Sequence, residues 1–335
     1  MGAVKTGKKK GIFFTFIAIT IMAVFVLVFT PQAGISLKKD TQAVASRIRS
    51  IDSYVDDLQN NYFETILRAV SYKAVLSLVF YMNSTGSFLP NLDSAFYEVA
   101  MNGTINNVPV DTITRKAIME DNALSNWSNK ITKTARDTLN VNTTINIINA
   151  SIFQTNPWSI DAVLTVNFAV KSGIASWEKN STIKSTFDIE GLPDPYYLVS
   201  TDGTYVNYIK KSAVEFNQWN IAILREHIRN GHYVHWQDSS APSFLMRFTN
   251  TITNSSCCGI ESLANPNKIT PSDIMDSYAD YLLADPSTNV PCSQLYNITN
   301  PSTGGGIWDE FQYFKLDINS TTRYNITSQD AVRSC

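Results

Sequence analysis

Residues 12–30, IFFTFIAITIMAVFVLVFT, contain no charged side chain. With Gly11 the run reaches 20 residues, and a helix of that length is about 30 Å long, the thickness of a bilayer's hydrocarbon core. A soluble protein has little use for so long an unbroken apolar helix, and no second run of this kind occurs later in the chain. One transmembrane helix is therefore expected at 12–30. Lys5, Lys8, Lys9 and Lys10 precede it with no acid among them, whereas Lys38 and Lys39 come after it at a distance, beside Asp40. This lysine excess makes 1–11 a basic cytoplasmic leader and puts the rest of the chain outside the cell.

The apolar run is longer than the 7–15 residues usual in a cleaved secretory signal. The best small-residue site downstream ends at Ala33 and has Pro31 at its −3 position, a poor cleavage site. An uncleaved anchor is one reading of the segment. The junction Lys8-Lys9-Lys10-Gly11, followed at once by the apolar helix, resembles the class III signal of type IV pilins and related archaeal surface proteins. That resemblance implies a membrane peptidase cutting after Gly11, so that Ile12 becomes the first mature residue. The family's usual Glu at the fifth mature position is replaced here by Phe16. The resemblance therefore speaks for processing more than for filament assembly.

The chain beyond the anchor has the composition of an exported surface. Charged residues make up 17% of the whole sequence, against ~25% in ordinary soluble domains. Amides and hydroxyls take their place, with 30 Asn and 64 Ser plus Thr. A net charge of −2 gives no reason to expect a nucleic-acid binder and rules out an acidic disordered chain. Ten Asn-x-Ser/Thr sequons occur, at Asn83, Asn102, Asn126, Asn142, Asn149, Asn180, Asn254, Asn297, Asn319 and Asn325. All lie on the expected outer side, where sequons mark exposed sites for glycans. The four cysteines, Cys257, Cys258, Cys292 and Cys335, are even in number and sit in an oxidising compartment, so two disulfides are expected. Adjacent cysteines rarely bond each other because the ring is small. Cys257 and Cys258 are thus expected to reach separately to Cys292 and Cys335.

Hydrophobic spacing supplies the elements. Val44, Ile48, Ile51, Val55, Leu58 and Tyr62 form one stripe, and from Ala69 to Met82 the pattern is apolar nearly all round. This predicts a long stalk helix over 35–83, with its far end buried in the head. Residues 86–140 read as the helical part of the head, with helices at 92–101 and 111–139. The inner face of the second comprises Ile118, Leu124, Trp127, Ile131 and Leu139. From 141 to 335 the head becomes β-rich and disulfide-bonded. Strands alternate at 162–170 and 183–189, and the turn cluster Gly191-Leu192-Pro193-Asp194-Pro195 ends them. A helix over 209–230 is closed by Gly231. Another starts at Thr270-Pro271-Ser272-Asp273, and Phe311–Ile318 is a late strand. The fold class is α+β, with an antiparallel sheet in an extracytoplasmic head. The segments GLPDPYY (191–197), APSFLMRF (241–248), GIESL (259–263) and FKLDI (314–318) resemble a family of uncharacterised archaeal membrane-anchored surface proteins, a resemblance that implies no activity.

Chemistry-bearing patterns are few. His227, His232 and His235 fall within nine residues and are weak candidates for a metal site. Against that, His227 is expected in a last helical turn, where a partly charged imidazole favours the dipole, and His232 and His235, three apart beyond the Gly cap, are expected to point to different faces. Ser243 lacks the G-x-S-x-G elbow, and Gly304-Gly305-Gly306 lacks the Lys-Ser/Thr of a phosphate cradle. No catalytic residue, enzyme activity or cofactor is expected. The expected role is a single-pass surface glycoprotein, structural or adhesive, whose partners are membrane lipid and copies of itself in a pilus-like assembly. A ligand-sensing or solute-binding ectodomain is the first competing reading, and an exported hydrolase the second.

Overall fold

In the computed structural model the described residues are 19–21, 38–173, 175–215, 218–236, 241–269, 276–283, 290–298, 310–311, 313–327 and 330–335. The expected transmembrane run at 12–30 lies outside them, apart from residues 19–21, which are helical and exposed. The expected helix start at Thr270–Asp273 lies outside them too. The chain divides into two units, Met1–Ser53 and Tyr54–Cys335.

Helix α1 spans Lys38–Asp57 and α2 spans Phe63–Thr85, with a π-helical turn, Leu58–Tyr62, between them. That turn corrects the expected stripe. A π turn inserts one residue into the 3.6-residue period, so Tyr62 is carried out to solvent while Phe63 takes the buried position after Val55 and Leu58. Gln42–Thr85 is long and apolar enough to cross a membrane by length and composition. In this structure, however, Val70, Ala74, Val75, Leu78, Val79 and Met82 are all buried by protein, as in a core helix. Gly86, in the left-handed conformation that favours glycine, ends α2 with its N–H on the Met82 carbonyl.

Helix α3 (Leu92–Asn102) starts on the Asn91 side chain, which accepts from the Ser94 N–H, and stops at Gly103. A two-residue hairpin, β1 (Thr104–Ile105) with β2 (Val108–Pro109), leads into α4 (Val110–Thr114). The expected helix over 111–139 is broken here. The Asp111 carboxylate accepts from the N–H groups of Ile118, Met119 and Glu120, which folds 115–123 into a turn. Helix α5 begins only at Leu124 and runs to Leu139.

Three antiparallel strands come next in the order β3-β4-β5: Asn142–Asn156, Ser159–Lys171 and Ser176–Asp188. The alternation at 162–170 and 183–189 is real, but strand β3 is an addition. A bulge between Ile147 and Asn149 puts an extra residue into its alternation and hides the period of two. Ile160, Ala162, Leu164, Val166, Phe168 and Val170 of β4 are buried on one face. Phe168 meets Phe63 of α2 edge-on at 5.4 Å, and Phe187 of β5 meets Tyr72 at 5.9 Å. Helix α5 lies against β3 on the same face, where Leu124, Trp127 and Ile131 surround Ile145 and Ile147.

The remainder is short elements joined by long connections. These are α6 (Pro195–Ser200), α7 (Ile221–Asn230), β6 (Tyr233–Val234) paired with β7 (Glu261–Ser262), α8 (Asp280–Leu283), β8 (Leu295–Ile298), β9 (Lys315–Asp317), α9 (Ile318–Arg323) and β10 (Ala331–Arg333). The helix expected over 209–230 forms only from Ile221, because Asn220 caps it through the Ala222 and Ile223 N–H groups. The late strand is confined to Lys315–Asp317.

The disulfide expectation is overturned: Cys292 bonds Cys335, and Cys257 bonds its neighbour Cys258. The reason is the sheet β10-β8-β9. Strand β10 pairs antiparallel with β8, setting Arg333 opposite Tyr296, so the segment leading into β8, with Cys292, and the segment leaving β10, with Cys335, meet at one end. The Cα atoms of these two cysteines are 5.9 Å apart. The tight turn at 256–258 then leaves the other two sulfurs to each other. Non-reducing peptide mapping should recover a Cys292 fragment joined to the Cys335 fragment. A link from Cys257 or Cys258 to either would refute this pairing. Replacing both Cys292 and Cys335 by Ala should lower unfolding free energy by about 2–4 kcal/mol, the usual worth of a cystine closing a loop of tens of residues.

Candidate functional site

The most perturbed chemistry in the structure surrounds Arg247, at the middle of the 3-10 turn Leu245–Thr249. Its neighbours in sequence are Leu245, Met246 and Phe248, so the chain carries it inward, and the whole side chain is buried. Nη1 donates to Asp194 at 2.7 Å and to Asp280 at 2.6 Å, while Nη2 donates to the Ile260 carbonyl. The guanidinium lies 4.9 Å from the Tyr196 ring centre and 5.7 Å from that of Tyr233.

Each carboxylate is held in turn. Asp194 caps α6 by accepting from the Tyr196 N–H, and accepts from the Tyr233 hydroxyl at 2.7 Å. Asp280 accepts from the Ser262 hydroxyl at 2.9 Å and from the Tyr281 N–H. Ser262 is also 2.9 Å from the Tyr197 hydroxyl. The residue before Ser262 in strand β7, Glu261, pairs with Arg323. Asp317, the cap of α9, accepts from the Ser277 and Ser320 hydroxyls at 3.0 and 2.6 Å.

The electrostatics follow from burial. Burial opposes the charge on Arg247, but Asp194 and Asp280 outweigh it and hold the guanidinium above its ordinary range. Burial raises Asp280 despite the nearby cation. Burial likewise pushes Glu261 up to about 7, with Arg323 opposing the shift. Arg247, Asp194 and Asp280 are essentially without solvent exposure. They form a clasp inside the protein, with no water-facing nucleophile or base.

The three histidines do not converge. His227 is buried in the last turn of α7, edge-on to Trp219 at 5.0 Å and 5.9 Å from His232. Burial first, then His232, lowers its pKa to about 3, so it packs as a neutral aromatic ring. His235 faces the Gly259 carbonyl through Nδ1 at 2.7 Å. Among the described residues no group of three His, Cys, Asp or Glu side chains is placed to hold a metal ion. Ser243 is buried and pairs with Gly259 across an antiparallel bridge. Gly11 and Ile12 lie outside the described residues.

Two exposed features remain. One is an open trough of about 360 Å³ between the π turn and β5, lined by Gln59, Asn60, Glu64, Asn180, Thr182 and Lys184 among others. Its wall offers amides, hydroxyls and one charge of each sign, a surface for a polar, uncharged ligand. The other is the sequon set. All ten asparagines are among the described residues. Eight are exposed, Asn126 and Asn297 are half-buried, and none is buried. No protein-family model, curated protein or solved structure matches the chain.

The Arg247 clasp is what reasoning from residue patterns missed. One signal was present: a lone Arg inside the apolar segment SFLMRF requires a buried counter-charge. Arg247→Met should leave two buried carboxylates facing each other and lower stability by about 3–5 kcal/mol in urea unfolding. Two titrations should also be visible. Glu261 keeps its proton in the folded state up to about 7 against an ordinary 4.5, so its contribution is full below 4.5 and is lost as pH rises through 7. His227 works oppositely: its contribution is present above 6.5 and is lost as pH falls toward 3. Glu261→Gln should therefore flatten the neutral-side decline in melting temperature, and His227→Phe the acid-side decline.

Proposed function

We propose that this protein is a single-pass, membrane-anchored surface glycoprotein with a structural or adhesive role, its N-terminus in the cytoplasm and its head outside the cell. The observation that carries the reading is the uncharged run 12–30 with lysines clustered on its N-terminal side alone. Two features of the head support it. The described cysteines are all in disulfides, as suits an oxidising compartment. The sequon asparagines are all at least partly open to solvent, as a glycan requires. The strongest ionic chemistry of the head is sealed in its interior, which favours a structural part over an exported hydrolase. The polar trough beside β5 supports a second reading, a ligand-binding ectodomain on the same anchor.

The topology is tested by adding protease to intact cells. Epitopes beyond residue 90 should disappear and leave the anchor behind, whereas their protection would reject the orientation. Mass spectrometry of the mature N-terminus addresses the anchor itself. A start at Ile12-Phe13-Phe14 is expected for class III processing, and a start at Met1 or Gly2 would mean an uncleaved anchor. A start near Gly34 would mean a released protein and overturn the membrane-bound reading. Removing Lys8–Lys10 would suit a later move of the helix out of lipid into an assembly, since a lysine costs about 2.5–3.5 kcal/mol in hydrocarbon.

A further inference from the structure

Three sequons fall within the sheet β3-β4-β5, and its register decides which way they point. Asn142 lies opposite Lys171, Asn149 opposite Thr165, and Asn180 opposite Asn167, which in turn faces Asn146. Lys171, Asn167 and Thr165 alternate along β4 with Val170, Phe168, Val166 and Leu164, the residues buried against the head's core. Side chains alternate across a strand, so Asn142, Asn149 and Asn180 all stand on the face away from that core. All three are exposed. The bulge is what brings the first two together. Seven residues apart, Asn142 and Asn149 would face opposite sides of a regular strand. The extra residue between Ile147 and Asn149 turns the second onto the side of the first.

Thr144, Asn146, Ser151, Glu178, Thr182 and Lys184 lie on the same cross-strand rows, together with the apolar Ala169, Val163 and Phe153. Polar side chains outnumber these, so the face is mostly polar with a few apolar positions. The two sequon-bearing strands are also the two edges. Among the described residues β3 and β5, of 15 and 13 residues, pair with no strand but β4, and near its C-terminal end β3 meets the Cys257 sulfur, 3.7 Å from the Gln154 carbonyl. The central strand has no sequon. Long unpaired edges are templates for another chain and need protection.

We propose that Asn142, Asn149 and Asn180 carry N-linked oligosaccharides that cover the outer face and shield both sheet edges from pairing with a second copy. The proposal rests on the extracytoplasmic reading above. In each transfer the asparagine Nδ2 attacks the anomeric carbon of an oligosaccharide carried on a membrane-lipid phosphate. The N–C bond forms as the C–O bond to phosphate breaks. The amide gives up one proton, and the lipid phosphate leaves with the electron pair. Thr144, Ser151 and Thr182 stand two residues on from their asparagines, so each hydroxyl is on the same face as its amide.

The test uses protein isolated from its native membrane, with glycopeptide mass spectrometry. Sugar mass on the three peptides that contain Asn142, Asn149 and Asn180 is expected. Bare peptides at these positions on a chain glycosylated elsewhere would overturn the proposal and leave the surface reading standing. A chain that surface protease trims but that carries no sugar anywhere would do the same. A sugar-free chain that surface protease cannot reach would overturn both. Shielding is read separately with two sets of variants expressed in the native host: Asn142→Gln with Asn149→Gln and Asn180→Gln, and Thr144→Val with Ser151→Ala and Thr182→Val. The second set keeps every asparagine and alters only exposed or half-buried positions. Both sets should lose three glycan increments and shift toward higher-mass species in sedimentation, while Asn254→Gln with Asn325→Gln should not shift. Sedimentation of both triple variants like the parent protein would overturn the shielding role.

Discussion

The C-terminal half of the head depends on one guanidinium. Between Ile189 and Cys335 the described strands are two to four residues long and the helices four to ten. Backbone ladders that short cannot define a fold. Arg247 supplies the missing connection by joining Asp194, the Ile260 carbonyl and Asp280, three points far apart in sequence. Burying these charges costs several kcal/mol per ion, and the return depends on every donor and acceptor being met. Here tyrosine and serine hydroxyls and backbone N–H groups meet the carboxylates, while the Arg247 Nε–H is left without a hydrogen-bond partner among the described residues. Such a clasp selects one arrangement among many compact ones, because a displaced carboxylate would be left charged and dry.

The four segments GLPDPYY, APSFLMRF, GIESL and FKLDI meet in and beside this clasp. The first provides Asp194 with Tyr196 and Tyr197, the second Arg247, the third Ile260, Glu261 and Ser262, and the fourth Asp317. Read one at a time they are turns and buried strand ends. Their polar residues acquire a shared purpose only in three dimensions. The N-terminal half is held differently, by α2 laid across the apolar face of a three-stranded sheet. That sheet therefore has one face committed to the core and one mostly polar face that also carries Val163, Ala169 and Phe153, with a polar trough along its β5 edge.

Much of the architecture was legible from local pattern. The left-handed stops at Gly103 and Gly231, the alternation along β4 and the apolar run that ends at Met82 each depend on residues within one or two turns of one another. The uncharged run 12–30, the lysine bias, the sequons and the even cysteine count belong equally to the sequence, since they record chemistry that needs no partner from elsewhere in the chain. What the tertiary structure decided was phase and pairing. The π turn exchanged Tyr62 for Phe63 at the buried position, and the bulge in β3 concealed a strand and turned Asn149 outward. Asp111 ended a helix that periodicity alone would have continued. Strand β10 brought Cys335 to Cys292, and aromatic packing made His227 a neutral core ring. In every case the deciding contact joins residues that the hydrophobic period cannot relate, because a period reports which side of an element is apolar and carries no information about what will lie against it.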